Sequence, residues 1–559
     1  MPIQSGLLHE DRRPNAVPGP KLMLYAEQAS PITIKLLEPL QPVARKPEGS
    51  RASEGAASAV SAFHIGFVSA TTQSAYQRLF LRAIITSIAG RGVFSDSYVQ
   101  QPLRYPPACL SSLHNGPLHS SRTPPTPSPR FLLKRQPSNT TMPETRNIVF
   151  LGASYAGLSS AHYFLRHIYP RLPTDGNIKY RVLVVDPSSK WYARHGSPRA
   201  IVRPDLIPLD KIMLDIEPGF KQYGDKVHFI QAKATSWDEK ARTVVVQKAD
   251  GKTESIAYWA LILATGTKTF SPLFSLQGNS HVEIERSLKS IHSKISSAKD
   301  ITIIGGGPAG VETAGELGEY LNGAAGWFAS SPSHPKAKIT LITSASKLLP
   351  ALRQSISDQA QVLLKRVGVE VRFNTKLYSS GDTADGRTKV MLHDGEELVS
   401  DIVIQAMGNQ PLSGYVPEHL KDTKGYVVQN NQTLRVDAAG ARVYAVGDVG
   451  TSSSDGIMDI MGQVPVMETN LKRDLLAAHA NAYAKPKGKD RLFEKNTKET
   501  QLVPIGRSKG VGAILGWRLP SFFIWMIKGR DYMMGNAGDK ISGMEVKKES
   551  VWKQEELFQ

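Results

Sequence analysis

From Asn147 onward the chain alternates short, continuous apolar runs with longer stretches of helical composition. The runs are NIVFL (147–151), RVLVV (181–185), WALILA (259–264), ITII (301–304), ITLI (339–342), DIVIQA (401–406) and VYAV (443–446). A half-buried strand alternates apolar and polar positions, whereas these runs are apolar on both faces. They therefore predict central strands of a parallel sheet covered by helices on each side. Strands alternating with helices predict βαβ units and an α/β fold. No run of about 20 apolar residues occurs, so no spanning helix is predicted. The nearest candidate, PSFFIWMI at 520–527, is far too short.

Two of the strand-to-helix junctions carry glycine turns. The first reads NIVFLGASYAGLSSA and places Gly152, Ala153, Ser154, Tyr155, Ala156 and Gly157 between a strand and a small-residue helix. Gly152 allows a sharp turn off the strand, and Gly157 allows helix and strand to pack closely. The helix N-terminus offers free N–H groups to a pyrophosphate. Ser154 replaces the usual middle glycine; it is small, and its hydroxyl can donate to a phosphate. The following strand, RVLVVD, ends in Asp186, placed to accept ribose hydroxyls. The loop before it, IYPRLPTDGN, is longer than usual.

The second turn, DITIIGGGPAGVETAGE, has the full pattern in Gly305, Gly307 and Gly310, with a strand before it and a helix after it. Glu312 falls in the first turn of that helix, near the ligand. Glu316, four residues on, reads as part of a solvated helix face. The next strand, KITLITSAS, ends in Thr343 and Ser344, with Lys347 beyond, where an NAD-specific site places an acid. Without the acid nothing repels a 2′-phosphate, so NADPH is expected to serve at least as well as NADH.

The segment ALILATG ends in Ala264, Thr265 and Gly266, and DIVIQAMG is its counterpart after the second turn. This spacing is that of one nucleotide-binding domain inserted in another. RVYAVGDV then ends a strand in Gly447 and Asp448, where an aspartate at a helix start can accept hydrogen bonds from a flavin's ribitol chain. The resulting organisation is a leader at 1–141, a first nucleotide-binding domain at 142–267 resumed at 409–480, a second at 268–408, and a small C-terminal α+β domain at 481–559.

Composition changes this picture at the N-terminus. The net charge is +18, and residues 1–141 supply +8 of it, as 15 Lys and Arg against 7 Asp and Glu. Residues 51–140 hold eight Arg and one Lys against Glu54 and Asp96, with pieces such as RTPPTPSPR. Such a leader reads as a disordered segment, as a transit-like segment directing the chain to mitochondria, or as an extension ahead of a start at Met142. The alternative placements are cytoplasmic or on a membrane surface. The remaining +10 is spread without basic runs, which makes nucleic-acid binding a minor reading. The sole cysteine is Cys109. There is thus no disulfide framework, no cysteine metal cluster and no thiol relay beyond residue 109. Trp517, Phe522, Phe523, Trp525 and Met526, followed by Lys528 and Arg530, form either a lid over the cofactor or a patch for a membrane surface.

Taken together, GVETAGE (310–316), TLITSASKLL, VYAVGD, IGRSKGVGAILGW and MIKGRDY resemble the pyridine-nucleotide-disulfide-oxidoreductase-like flavoproteins over about residues 145–540. Within these the chain is most similar to the apoptosis-inducing-factor-like, ferroptosis-suppressor-type members and to type II NADH dehydrogenases. The resemblance implies two Rossmann-type domains, FAD bound non-covalently at the first turn, and NADH or NADPH at the second. It implies two-electron transfer to a quinone, with a redox-signalling DNA-binding role or donation to a protein partner as alternatives. By position it implies FAD contacts from Gly152 to Ala156, Arg199, Ala234 and Asp448, and catalytic roles for Glu312 and Lys528. The family's Met-Gly lipidation start is absent, and the leader has no counterpart.

Overall fold

The computed structural model describes residues 144–554 except 175, 177, 454 and 455, so the leader, Met142 and Cys109 lie outside the described residues. The apolar runs do become sheet interiors. The larger sheet has seven strands in the order Val443–Ala445, Ala260–Leu263, Glu144–Leu151, Ile178–Asp186, Val227–Asp238, Thr243–Lys248 and Thr253–Ala257. The first five are mutually parallel, and the last two continue as antiparallel neighbours. Ile148, Val149, Phe150, Ala260, Leu261, Ile262 and Leu263 are completely buried, as strands covered on both faces must be.

A second sheet of four parallel strands has the order Val369–Arg372, Lys338–Ile342, Asp300–Ile304 and Ile402–Gln405. A three-stranded antiparallel sheet, Leu377–Asp382 with Thr388–Leu392 and Glu397–Ser400, is appended to it. The chain enters this unit beside Thr267–Lys268 and leaves beside Gln410–Pro411, and those two segments pair with each other. The C-terminal part is an antiparallel sheet, Gln501–Ile505, Lys509–Ile514 and Trp517–Arg518, followed by the short helix Ser521–Ile524. The fold is α/β with two parallel, doubly covered sheets, each with the strand order of a dinucleotide-binding unit.

Four helices position the site. Helix α1 is Tyr155–Tyr163, α2 is Pro308–Asn322, α3 is Gln354–Lys365 and α4 is Ile457–Ala477. Helices α1 and α2 each begin where a central strand ends, so their N-termini face the carboxyl edge of their sheet. No described helix is long and apolar enough to cross a membrane.

Candidate active site

The first turn closes because its glycines lack side chains. Gly152 has φ of +103°, and a Cβ there would collide with the carbonyl of Ala264; a Cβ on Gly157 would collide with that of Gly152. Ser154 is the N-cap of α1, yet its side chain makes no capping hydrogen bond. Asp186 is buried at the end of its strand. One carboxylate oxygen accepts the N–H of Ala153 at 2.7 Å and the other that of Ser188 at 2.8 Å. The carboxylate at this strand end thus fixes the backbone of the first turn. Burial pushes it up to about 6, against the pull of the two N–H donors. Gly447 lies against the same turn, since a Cβ there would stand 2.8 Å from the Cβ of Ala156, and its N–H donates to Gln463 Oε1 at 2.7 Å. Half-buried Asp448 accepts the hydroxyl of Ser453 at 2.7 Å. Residues nearly 300 positions apart therefore border one cradle. Gly266, with φ of +66°, follows the neighbouring strand Ala260–Leu263, and Ala234 is half-buried within Val227–Asp238.

The second turn repeats the construction. Gly305 has φ of +130° and abuts Ala406, while Gly310 abuts the Gly305 carbonyl. The middle glycine, Gly307, has open space where a side chain would stand. A backbone cradle that a Cβ would fill, at the N-terminus of a 15-residue helix, fits a pyrophosphate. Thr343 is buried against Gly306, Ser344 is exposed, and Lys347 donates to the carbonyl of Leu352 at 2.5 Å.

The helix after the second turn carries one member of a partly buried polar cluster, and the first turn carries another. Lys528 Nζ donates to Glu312 Oε1 at 2.5 Å and to the carbonyl of Leu502 at 3.2 Å. Burial pushes the Glu312 carboxyl up to about 7, while Lys528 pulls it down. Tyr155, from the first turn, has its hydroxyl hydrogen-bonded to His195 Nδ1 and its ring edge-on to Trp191 at 5.2 Å. Burial, with Lys528 and Lys540 nearby, pushes His195 down to about 3, so it is neutral. Lys540 stands 5.0 Å from the Tyr155 ring centre and donates to Ser159 Oγ at 3.0 Å and Glu545 Oε1 at 2.5 Å. Trp191 Nε1 and Thr267 Oγ1 are buried without a partner. Trp191, edge-on to Tyr155, thus brings an unpaired donor to the first turn, which suits a polar cofactor.

Two expectations change. Glu316 is not on a solvated face: it is 2% exposed and holds Arg199 through two hydrogen bonds, of 2.7 and 3.0 Å. Arg199 is also 2% exposed. Its other donors reach the carbonyls of Gly529, Arg530 and Gly506, and its plane lies over the Tyr532 ring at 4.6 Å. With every guanidinium donor committed to protein, its side chain acts as a clamp between three parts of the chain rather than as a hand toward FAD. Sequence reasoning passed over His195, Trp191, Lys540 and Tyr532. The one available signal was the cluster of aromatic and basic residues in KWYARHGSPR.

The geometry therefore presents two backbone cradles that fit pyrophosphates, and a buried glutamate paired with a half-buried lysine. The family model of pyridine nucleotide-disulphide oxidoreductases matches residues 146–469. The chain belongs to that family. Among curated relatives it is 44% identical over 398 residues to oxidoreductase phnG of Penicillium herquei, covering 70% of this chain and 94% of that protein. It is 30% identical over 385 residues to oxidoreductase ptaL of Pestalotiopsis fici, covering 68% and 95%. It is 27% identical over 415 residues to apoptosis-inducing factor 1 of Saccharomyces cerevisiae, covering 69% and 96%. The protein is thus a flavin-dependent NAD(P)H oxidoreductase in its general class, with FAD and NAD(P)H as its cofactors.

Proposed function

We propose that this oxidoreductase passes two electrons from NAD(P)H through FAD to a quinone-type acceptor, without a thiol relay. The observation that carries the reading is the absence of any cysteine after Cys109, combined with the pairing of buried Glu312 with half-buried Lys528. FAD, when bound, supplies the hydride acceptance and the onward transfer of two electrons. Gly152 to Gly157, Asp186 and Asp448 would hold it; Gly305, Gly307 and Gly310 would hold the nicotinamide nucleotide.

The residues divide the remaining work. Glu312 is the fifth residue of α2, which begins at Pro308, so it stands at the start of the second turn rather than in the first turn that the sequence suggested, and its buried carboxyl faces the Lys528 ammonium. Lys528 beside it favours negative charge developing nearby. Glu312, near neutrality, can hold a proton on Oε and give it to a reduced acceptor. Quinone reduction consumes two protons, and a buried carboxyl at about 7 suits that demand. Neutral His195 and Tyr155 fix the wall of the first cradle. The test is direct: Glu312→Ala and Lys528→Ala are each expected to lower quinone turnover by about 10²–10³-fold while flavin stays bound. Wild-type turnover in both would remove them from the mechanism.

A further inference from the structure

Two segments of this chain lack acids altogether, and the fold sets them side by side. No Asp or Glu occurs between Glu319 and Asp358, or between Glu499 and Asp531. The first contains the loop after α2, where Trp327 is 89% exposed and Phe328 is 99% exposed. Adjacent aromatic rings left in water cost free energy unless something covers them. Nor are they the ends of a loose loop. The Arg366 guanidinium donates to the carbonyls of Ala329, Gly326 and Ala325 at 2.7, 3.0 and 3.2 Å, which holds the backbone down and both rings outward.

The second segment exposes Trp517, Phe522 and Phe523, with Phe522 and Phe523 edge-to-face at 5.8 Å. Helix α3 joins the two groups. At one end Arg518, next to Trp517, donates to Gln359 at 2.5 Å. One turn further, exposed Val362, with Lys365, lines a shallow cleft together with Trp327 and Phe328. Gln359 to Lys365 spans roughly 9 Å of helix. Three acids bordering this strip are engaged, Glu499 by Arg353, Asp358 by Gln354 and Glu319 by the Arg507 N–H. Among the described residues the side chains of Lys336, Lys338, Lys365, Arg507, Lys509 and Arg530 form no ion pair within 4.0 Å of a carboxylate.

We propose that this strip of aromatic rings set among unpaired cations is a docking face for an anionic lipid bilayer. Trp and Phe rings favour the headgroup boundary, and unpaired Lys and Arg favour anionic headgroups. The face sits on the surface of the NAD(P)-binding unit and the C-terminal sheet, and lies beside the Lys528 element without including it. It does not depend on which acceptor the enzyme reduces.

Flotation of the full-length, FAD-loaded protein tests it, using phosphatidylcholine vesicles with and without phosphatidylserine. Binding is expected only with phosphatidylserine and to weaken as salt rises. Trp327→Ser with Phe328→Ser, and Lys336→Gln with Lys338→Gln, are each expected to lower partitioning by about tenfold. Turnover on a water-soluble quinone should be unchanged in both. Both variants retain the leader, so a loss cannot come from it. Equal partitioning of parent and variants, equal binding to both vesicle types, or a Trp327-dependent dimer in place of lipid binding would each overturn the proposal.

Discussion

Glu312 sits where burial and charge oppose each other. Removal from water raises its carboxyl to about 7, and Lys528 at 2.5 Å restrains the rise. A proton held on this carboxyl is present below that pH and lost above it. The acceptor half-reaction should therefore slow as pH rises through about 7, and Glu312→Gln should lower the rate and flatten the profile. A stopped-flow pH series reads both effects. Glu468, on α4, is a different case. It is fully buried, and neither carboxylate oxygen has a partner. Burial alone raises it well above the ordinary glutamate value of 4.5. A raised acid contributes its stability in full below the unfolded value, and that contribution is lost as pH climbs toward the folded one. Glu468→Met, which keeps volume and removes the orphaned carboxyl, should raise stability by about 1–3 kcal/mol near neutrality. The gain in Tm should be smaller at pH 5 than at pH 8; an equal or reversed gain would show that Glu468 is paired in solution.

At the scale of elements, the two glycine turns were legible because their chemistry is local. Gly152, Gly157, Gly305 and Gly310 are required by collisions within six residues or with the adjoining strand, and such requirements leave a readable spacing. Asp186 was legible for the same reason, as a strand end beside a known turn, although its second job of holding the Ala153 N–H was not. The strand Lys338–Ile342 makes a quantitative statement. It ends in Thr343 and exposed Ser344, without a carboxylate to pair ribose hydroxyls or repel a 2′-phosphate. Ser344→Asp should move the ratio of kcat/KM for NADPH over NADH toward NADH by about tenfold, roughly 1.4 kcal/mol. An unchanged ratio would place the adenosine ribose away from this strand end.

The whole molecule is held by contacts that no local reading reaches. Arg199 and Glu316 are 117 residues apart, and Ser159 and Glu545 are 386 apart. Their pairing depends on how α2 and the C-terminal segment settle on the FAD-binding half. Glu316 looked solvated because its neighbours in sequence do not reveal what packs over the helix. The buried Arg199–Glu316 pair fixes α2, and with it Glu312, relative to the Gly529–Arg530 backbone beside Lys528. The Glu312–Lys528 pair thus inherits its geometry from a second pair one helical turn away.

The central claim is direct two-electron transfer from NAD(P)H through FAD to a quinone. Anaerobic stopped-flow spectroscopy of the flavin, with NADPH and then a short-chain quinone, tests it most directly. NADPH is expected to bleach the flavin absorbance and quinone alone to restore it, at a rate no slower than steady-state turnover. Flavin that stays reduced in the presence of quinone, and reoxidises only with a thiol or a protein partner, would contradict it.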